Sequence, residues 1–435
     1  MYLTDSRLLP VVGILAAMMS GCSGDDAPVN PGEPQNTAPT ACFSATPVEG
    51  IAETTFQLDA SCTSDDQDST SLLEVRWDWE NDGTWDTAYT TTKTASFHYD
   101  STGTKTIKIE IRDTGTLTAT TTREITVNPL LQLTDDPSDD SNHQWSPDGS
   151  KIAFRSYRSG QADIWIVPSA GGEAVRLTTG PALAGTESPQ WSPDGERIAF
   201  ASERDGIWVI PAAGGEALQL TDHGQDTAPQ WSPDGDRIAF YSYRYIDDTQ
   251  TFDVWVIPSS GGEEVNLTAG HEQSALRPAW SPDGSKIAFT SGIMGSIWVV
   301  PSEGGEAYQV TSRDVNGGFQ WSPDGNWIAF ASGPIGDTNL WVTPSITFEE
   351  IQLTSTPGID WNPSWSPDGT RIAFASRRAG EYHISVIPAA GGKAVQLTSE
   401  DFNSQGPVWA PDGSKIAFTS HRDGSWDIWV LGVSF

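Results

Sequence analysis

Trp145-Ser146-Pro147-Asp148-Gly149-Ser150-Lys151-Ile152-Ala153-Phe154 is the first of seven related stretches, and the fold depends on what they encode. The copies begin at Trp145, Trp191, Trp231, Trp280, Trp321, Trp365 and Trp409, spaced 40 to 49 residues apart, the last reading Trp409-Ala410-Pro411-Asp412-Gly413. Ser-Pro-Asp-Gly is a type I turn signature: Pro presets φ, Asp bonds its own backbone and Gly closes the turn. The Trp before it and the Ile-Ala-Phe after it then belong to two antiparallel strands.

A third strand follows in each copy, as in Asp163-Ile164-Trp165-Ile166-Val167 or His383-Ile384-Ser385-Val386-Ile387. These runs are apolar on both faces, as a sheet pressed between two others requires. A Gly-Gly turn, as at Gly171-Gly172, leads to a fourth strand ending in Leu-Thr or Val-Thr, and the fifth copy departs with Ser345-Ile346-Thr347-Phe348-Glu349-Glu350. Four strands at this spacing are the unit of a β-propeller. The seventh copy stops at Phe435 soon after its third strand, while Leu131-Gln132-Leu133-Thr134 stands alone before Trp145. Residues 130–435 are therefore predicted to form a seven-bladed propeller closed by its N-terminal strand, which leaves no sheet edge open. The motifs resemble the WD40-like, or TolB-type, propeller repeat.

The rest of the 435-residue chain fits an all-β, exported protein. With 24 basic and 58 acidic residues its net charge is −34, which repels nucleic acid and anionic lipid alike. Residues 1–22 read as an export signal: Arg7, an apolar run from Leu8 to Met19, then Met19-Ser20-Gly21-Cys22. The last four residues resemble the bacterial lipobox. That resemblance implies a lipid on Cys22 and, with Ser23 after it, sorting to the outer membrane of a two-membrane cell. Residues 23–40 are too polar and too rich in Pro and Gly to fold, and are expected to be a disordered tether.

Residues 41–129 alternate apolar and polar positions, as in Thr106-Ile107-Lys108-Ile109-Glu110-Ile111, the period of half-buried sandwich strands. Arg76-Trp77-Asp78-Trp79-Glu80-Asn81-Asp82-Gly83 and Phe97-His98-Tyr99-Asp100-Ser101-Thr102-Gly103 resemble segments of a PKD domain. This implies an immunoglobulin-like sandwich acting as a spacer or accessory binding module. Cys42 and Cys62 lie in its first two predicted strands, and export favours their pairing. Asp78, Glu80, Asp82 and Asp86 resemble an incomplete calcium loop, Glu80 standing where Asp is usual; the alternative is a solvated acidic turn.

The seven turn carboxylates, Asp148 to Asp412, recur too regularly to be catalysts and are expected to be scaffold. Arg158, Arg204, Arg244, Arg378 and Arg422 are expected to pair with blade carboxylates. Function is expected where the repeats stop agreeing, in the connections leading into each Trp. These hold Asp140, His143, Glu187, His223, Asp226, His271, Arg277, Asp360 and Trp361. An acidic face with an exposed aromatic suits a protein or peptide partner of cationic character in the cell envelope. Carbohydrate binding is the alternative. His143, His223 and His271 raise a third reading, a metal-dependent polysaccharide lyase, although their spacings to the next Trp differ. No Gly-x-Ser-x-Gly elbow is present, so a serine hydrolase is not indicated.

Overall fold

Period-two alternation before residue 128 gives strands with one buried face, and these pair into two sheets. In the computed structural model, which describes residues 35–433 except 53, 180–187, 203, 204, 247, 248, 293, 294, 379, 400 and 423, one sheet holds Ser44–Thr46, Phe56–Asp59 and Thr94–Phe97. The other holds Glu49–Gly50, Glu74–Asp78, Gly103–Arg112 and Thr118–Val127. Phe56 and Leu58 from the first meet Val75, Trp77, Ile107 and Ile109 from the second in one core. Cys42 and Cys62 are disulfide-bonded with their Cα atoms 5.4 Å apart. The signal, Cys22, Glu187 and Arg204 lie outside the described residues, as does all of the tether before residue 35.

Ile51 does not join this core. It packs with Trp409, Leu431 and Val433, and the Asn128 N–H donates to the Gly50 carbonyl at 2.6 Å. The sandwich is thereby held against the end of the repeat region rather than strung from it.

After residue 129 every described strand falls into one of seven four-stranded antiparallel sheets. Asp140–Trp145, Lys151–Ser156, Asp163–Pro168 and Val175–Arg176 make the first. The next five follow in chain order, and the seventh takes its fourth strand from Leu130–Gln132, which pairs with Asp427–Gly432. The third sheet carries the longest hairpin, Arg237–Ile246 with Thr249–Pro258, which accounts for the widest Trp spacing.

The Ile-Ala-Phe triplet explains how the sheets stack. In the second sheet Ile198 and Phe200 point back into a core with Ile164 and Ile166 of the first. Ala199 points forward, into a core with Trp231, Ile238 and Phe240 of the third. A large pair on one face and a small residue on the other let each sheet receive its neighbour's bulk without overpacking. The same arrangement joins each sheet to the next, and the seventh to the first, where Ala417 and Val430 meet Trp145, Ile152 and Phe154. Each buried Phe contributes about 2 to 3 kcal/mol of transfer free energy.

The remaining letters of the motif are backbone work. Ser146 Oγ donates to Asp148 Oδ1 at 2.6 Å, Asp148 Oδ1 accepts the Ser150 N–H at 3.0 Å, and Gly149 N–H donates to the Ser146 carbonyl at 2.8 Å. These bonds hold the Asp148 carboxyl down at about 2, so it is a turn residue in use. The Thr that closes each fourth strand accepts a third-strand N–H on its hydroxyl, as Thr178 does from Ile164 at 3.0 Å and Thr134 from Ile428 at 2.9 Å.

Candidate functional site: a channel lined by the first strands

The first strand of each sheet runs beside those of its neighbours, and the sequence gives it an irregularity. In sheets one, three, four, six and seven the register slips just before the Trp, so that two residues face one, as Asn142 and His143 face Phe154. The third residue before the Trp is left-handed in each of these: Asn142 (φ 55°), Ala228 (53°), Arg277 (54°), Asn362 (52°) and Gly406 (62°). Asn and Gly accept this conformation readily, whereas Ala228 and Arg277 hold it at a cost of about 1 to 2 kcal/mol each.

A cavity of about 810 Å³ is enclosed by the first strands of all seven sheets. Gln144, Gln190, Gln230 and Gln320, each directly before a motif Trp, contribute to its wall, with Asn142, Asn362, Ser364 and Gln405. Among the described lining residues there is no Asp or Glu, and Arg277 is the one Arg or Lys. Gln320 accepts the Trp365 N–H on its Oε1 at 2.6 Å. The motif Trp rings present at the wall are themselves buried, with Trp231 8%, Trp280 8% and Trp321 6% exposed.

The acidic candidates are not on this wall. Asp140, Asp226 and Asp360 are fully buried, and each is ion-paired: with Arg158, with Arg244 at 3.0 Å and with Arg378 at 2.9 Å. Ser242 and Ser376 donate to Asp226 and Asp360. Burial pushes the Asp140 carboxyl up to about 6 although Arg158 pulls it down. The expected acidic binding face is therefore corrected: the connections fold into strands, turn these carboxylates inward and neutralise them with the recurring arginines. The eighteen-residue step from each Asp to its Arg was a signal for this in the sequence.

The histidines are not brought together. His143 is buried in the channel wall and kept neutral, its pKa pushed down to about 4 by burial. His223 is exposed beside Asp222. His271 meets Ser291 Oγ at 3.0 Å and stands edge-on to Phe289 and Trp298. Trp361, expected to be exposed, stacks on Tyr382 at 4.7 Å with planes 6° apart. Among the described residues no three His, Cys, Asp or Glu side chains are grouped to hold a metal ion. In the expected calcium loop, Asp78 accepts the Asp82 and Gly83 N–H groups, Asp82 that of Thr84 at 2.7 Å and Asp86 that of Trp79 at 2.7 Å, so three of the four carboxylates serve the turn's own backbone. Of the candidates, Arg277 and His143 line the channel. The glutamine wall was missed, although Gln directly precedes Trp in four of the seven copies.

The fold is similar to that of an oligogalacturonate lyase from Vibrio parahaemolyticus, at 16% identity over 70% of this chain and 93% of that one, with a TM-score of 0.58. An oligogalacturonate lyase in complex with manganese gives 16% identity, the same coverages and a TM-score of 0.57. A puromycin-hydrolyzing peptidase of Mycobacterium tuberculosis gives 15% identity over 65% of this chain and 50% of that one, with a TM-score of 0.53. At these identities the likeness is one of fold. No curated protein sequence matches the chain. Residues 155–264 match the dipeptidyl peptidase IV N-terminal region, and residues 245–434 match the TolB beta propeller domain, so this part of the chain is similar to repeats of the TolB propeller type.

Proposed function

We propose that the seven sheets are the blades of one closed propeller, and that its channel binds an extended segment of another envelope protein without catalysis. The observation that carries this is the wall itself: side-chain amides and hydroxyls around a cavity of about 810 Å³, with no carboxylate among the described lining residues and with its histidine neutral and buried. Glutamine amides both donate and accept, which matches the alternating N–H and C=O of a peptide backbone. They offer neither a nucleophile nor a strong base. Closure is supported by the core that joins the seventh sheet to the first.

In this reading the PKD-like sandwich, residues 41–129, is the spacer and a lipid on Cys22 is the anchor, at the outer membrane. A photoreactive amino acid at Ala228 in the channel should capture a polypeptide from envelope extracts, and the same group at Val175 on the rim should not. Recovery of polysaccharide alone at Ala228 would overturn the proposal.

A further inference from the structure

The channel holds one feature that its amide wall does not explain. Arg277 sits where the corresponding left-handed residues are Asn142, Asn362, Gly318 and Gly406, types that take a positive φ easily, and Ala228, which has no side chain to place in the channel beyond its methyl. The φ of Arg277 is 54°, an unfavourable setting for a long side chain, and the exposed side chain makes no ion pair with a carboxylate among the described residues. By contrast Arg158, Arg244 and Arg378, in or just after the second strands of their sheets, are all paired with buried aspartates. In a chain with 58 acidic residues, no carboxylate among the described lining residues faces this exposed cation. Strain kept for an unpaired charge at a cavity wall points to a ligand.

We infer that Arg277 receives a carboxylate of the bound peptide, either its chain end or an Asp or Glu side chain, while Gln190 and Gln230 bond its backbone. This rests on the channel being the binding site. The guanidinium fork matches a carboxylate through two parallel N–H···O bonds. A peptide is favoured over an acidic saccharide because sugar binding uses open aromatic faces. Here the motif indoles are buried with their N–H groups bonded to backbone carbonyls, as Trp231 Nε1 is to Gln190 at 3.0 Å, and Trp361 is covered by Tyr382.

The test uses the whole protein and three hexapeptide libraries: chain-end carboxylate without Asp or Glu, amidated end with Asp or Glu, and amidated end without either. Wild type should bind one of the first two about ten- to a hundred-fold more tightly than the third, the range of a charge-assisted pair. Arg277→Asn, which installs the residue that sheets one and six use at this position, should erase that preference while leaving the melting temperature equal or higher. A structural arginine would instead lower it. Equal binding of all three libraries, unchanged in Arg277→Asn but weakened in the Gln190→Ala, Gln230→Ala double variant, would overturn the carboxylate and leave the channel reading standing. Binding insensitive to both variants would overturn both. Binding of a galacturonate trimer in place of every peptide would overturn the peptide assignment.

Discussion

The indole N–H of Trp145 donates to the backbone carbonyl of Val408 at 3.0 Å, across 263 residues of chain. The same bond links Trp191 to Gln144, Trp231 to Gln190, Trp280 to Gln230, Trp321 to Ala279, Trp365 to Gln320 and Trp409 to Ser364. Each motif Trp thus fastens its sheet to the residue preceding the Trp of the sheet before it, and the seven bonds return to their start. The acceptor is the backbone of the residue whose side chain lines the channel in the glutamine copies, so ring integrity and channel shape are coupled.

Trp145→Phe keeps an aromatic at the junction of first and last sheets but removes the donor. It should cost about 1 kcal/mol, or somewhat more if the half-buried Val408 carbonyl stays unpaired. Trp280→Phe, between two sequential sheets, should cost a similar amount if the ring is closed. Chemical denaturation of the two variants checks this; a cost confined to Trp280→Phe would mean that the Trp145 junction is not formed.

Asp360 is fully buried and depends on Arg378 and Ser376. Arg378→Met leaves its charge uncompensated and should destabilise by about 3 kcal/mol, whereas adding Asp360→Asn should restore most of that. Denaturation midpoints of single and double variants form the required cycle; additive losses would show that the pair does not act as one unit.

Acid should weaken the fold before the turn carboxylates titrate. Burial lowers both His143 and His383 to about 4, whereas unfolded His titrates at about 6.5. Between these values the unfolded chain binds the extra protons, so stability falls as pH falls through about 6.5 toward 4. Asp140 opposes this: raised to about 6, it is protonated in the folded chain first and gains stability as pH falls from 6 toward 3.8. Melting curves at about pH 7.5 and pH 5 should show a net loss, smaller in His143→Gln and larger in Asp140→Asn. No change in either variant would mean that these groups are solvated.

Replacing both Cys42 and Cys62 by Ser should lower the stability of the sandwich by about 3 kcal/mol, the cost of releasing a loop of this length. The repeat region should keep its own transition, visible by calorimetry as a second peak that moves less. A single peak shifted as a whole would show that the Ile51 contact makes the two regions one cooperative unit.

Seven Trp phrases were enough to read four strands per repeat, the turn role of Asp148 and the placement of Leu131 beside the last sheet, because turn chemistry and strand alternation are local. The same regularity misled at the connections. Asp140, Asp226 and Asp360 look solvent-facing in a chain this acidic, and only the pairing with arginines eighteen residues later turns them inward. Whether a polar residue before a Trp faces water, a neighbouring sheet or the channel depends on the bulge that precedes it. That bulge is set by cross-strand register, a property of two strands together. The sequence by itself therefore determined the repeat and its turns, through local backbone preferences. Tertiary structure decided that, among the described residues, glutamines rather than carboxylates line the channel and Arg277 stands with them outside any ion pair, because burial and pairing are settled between sheets.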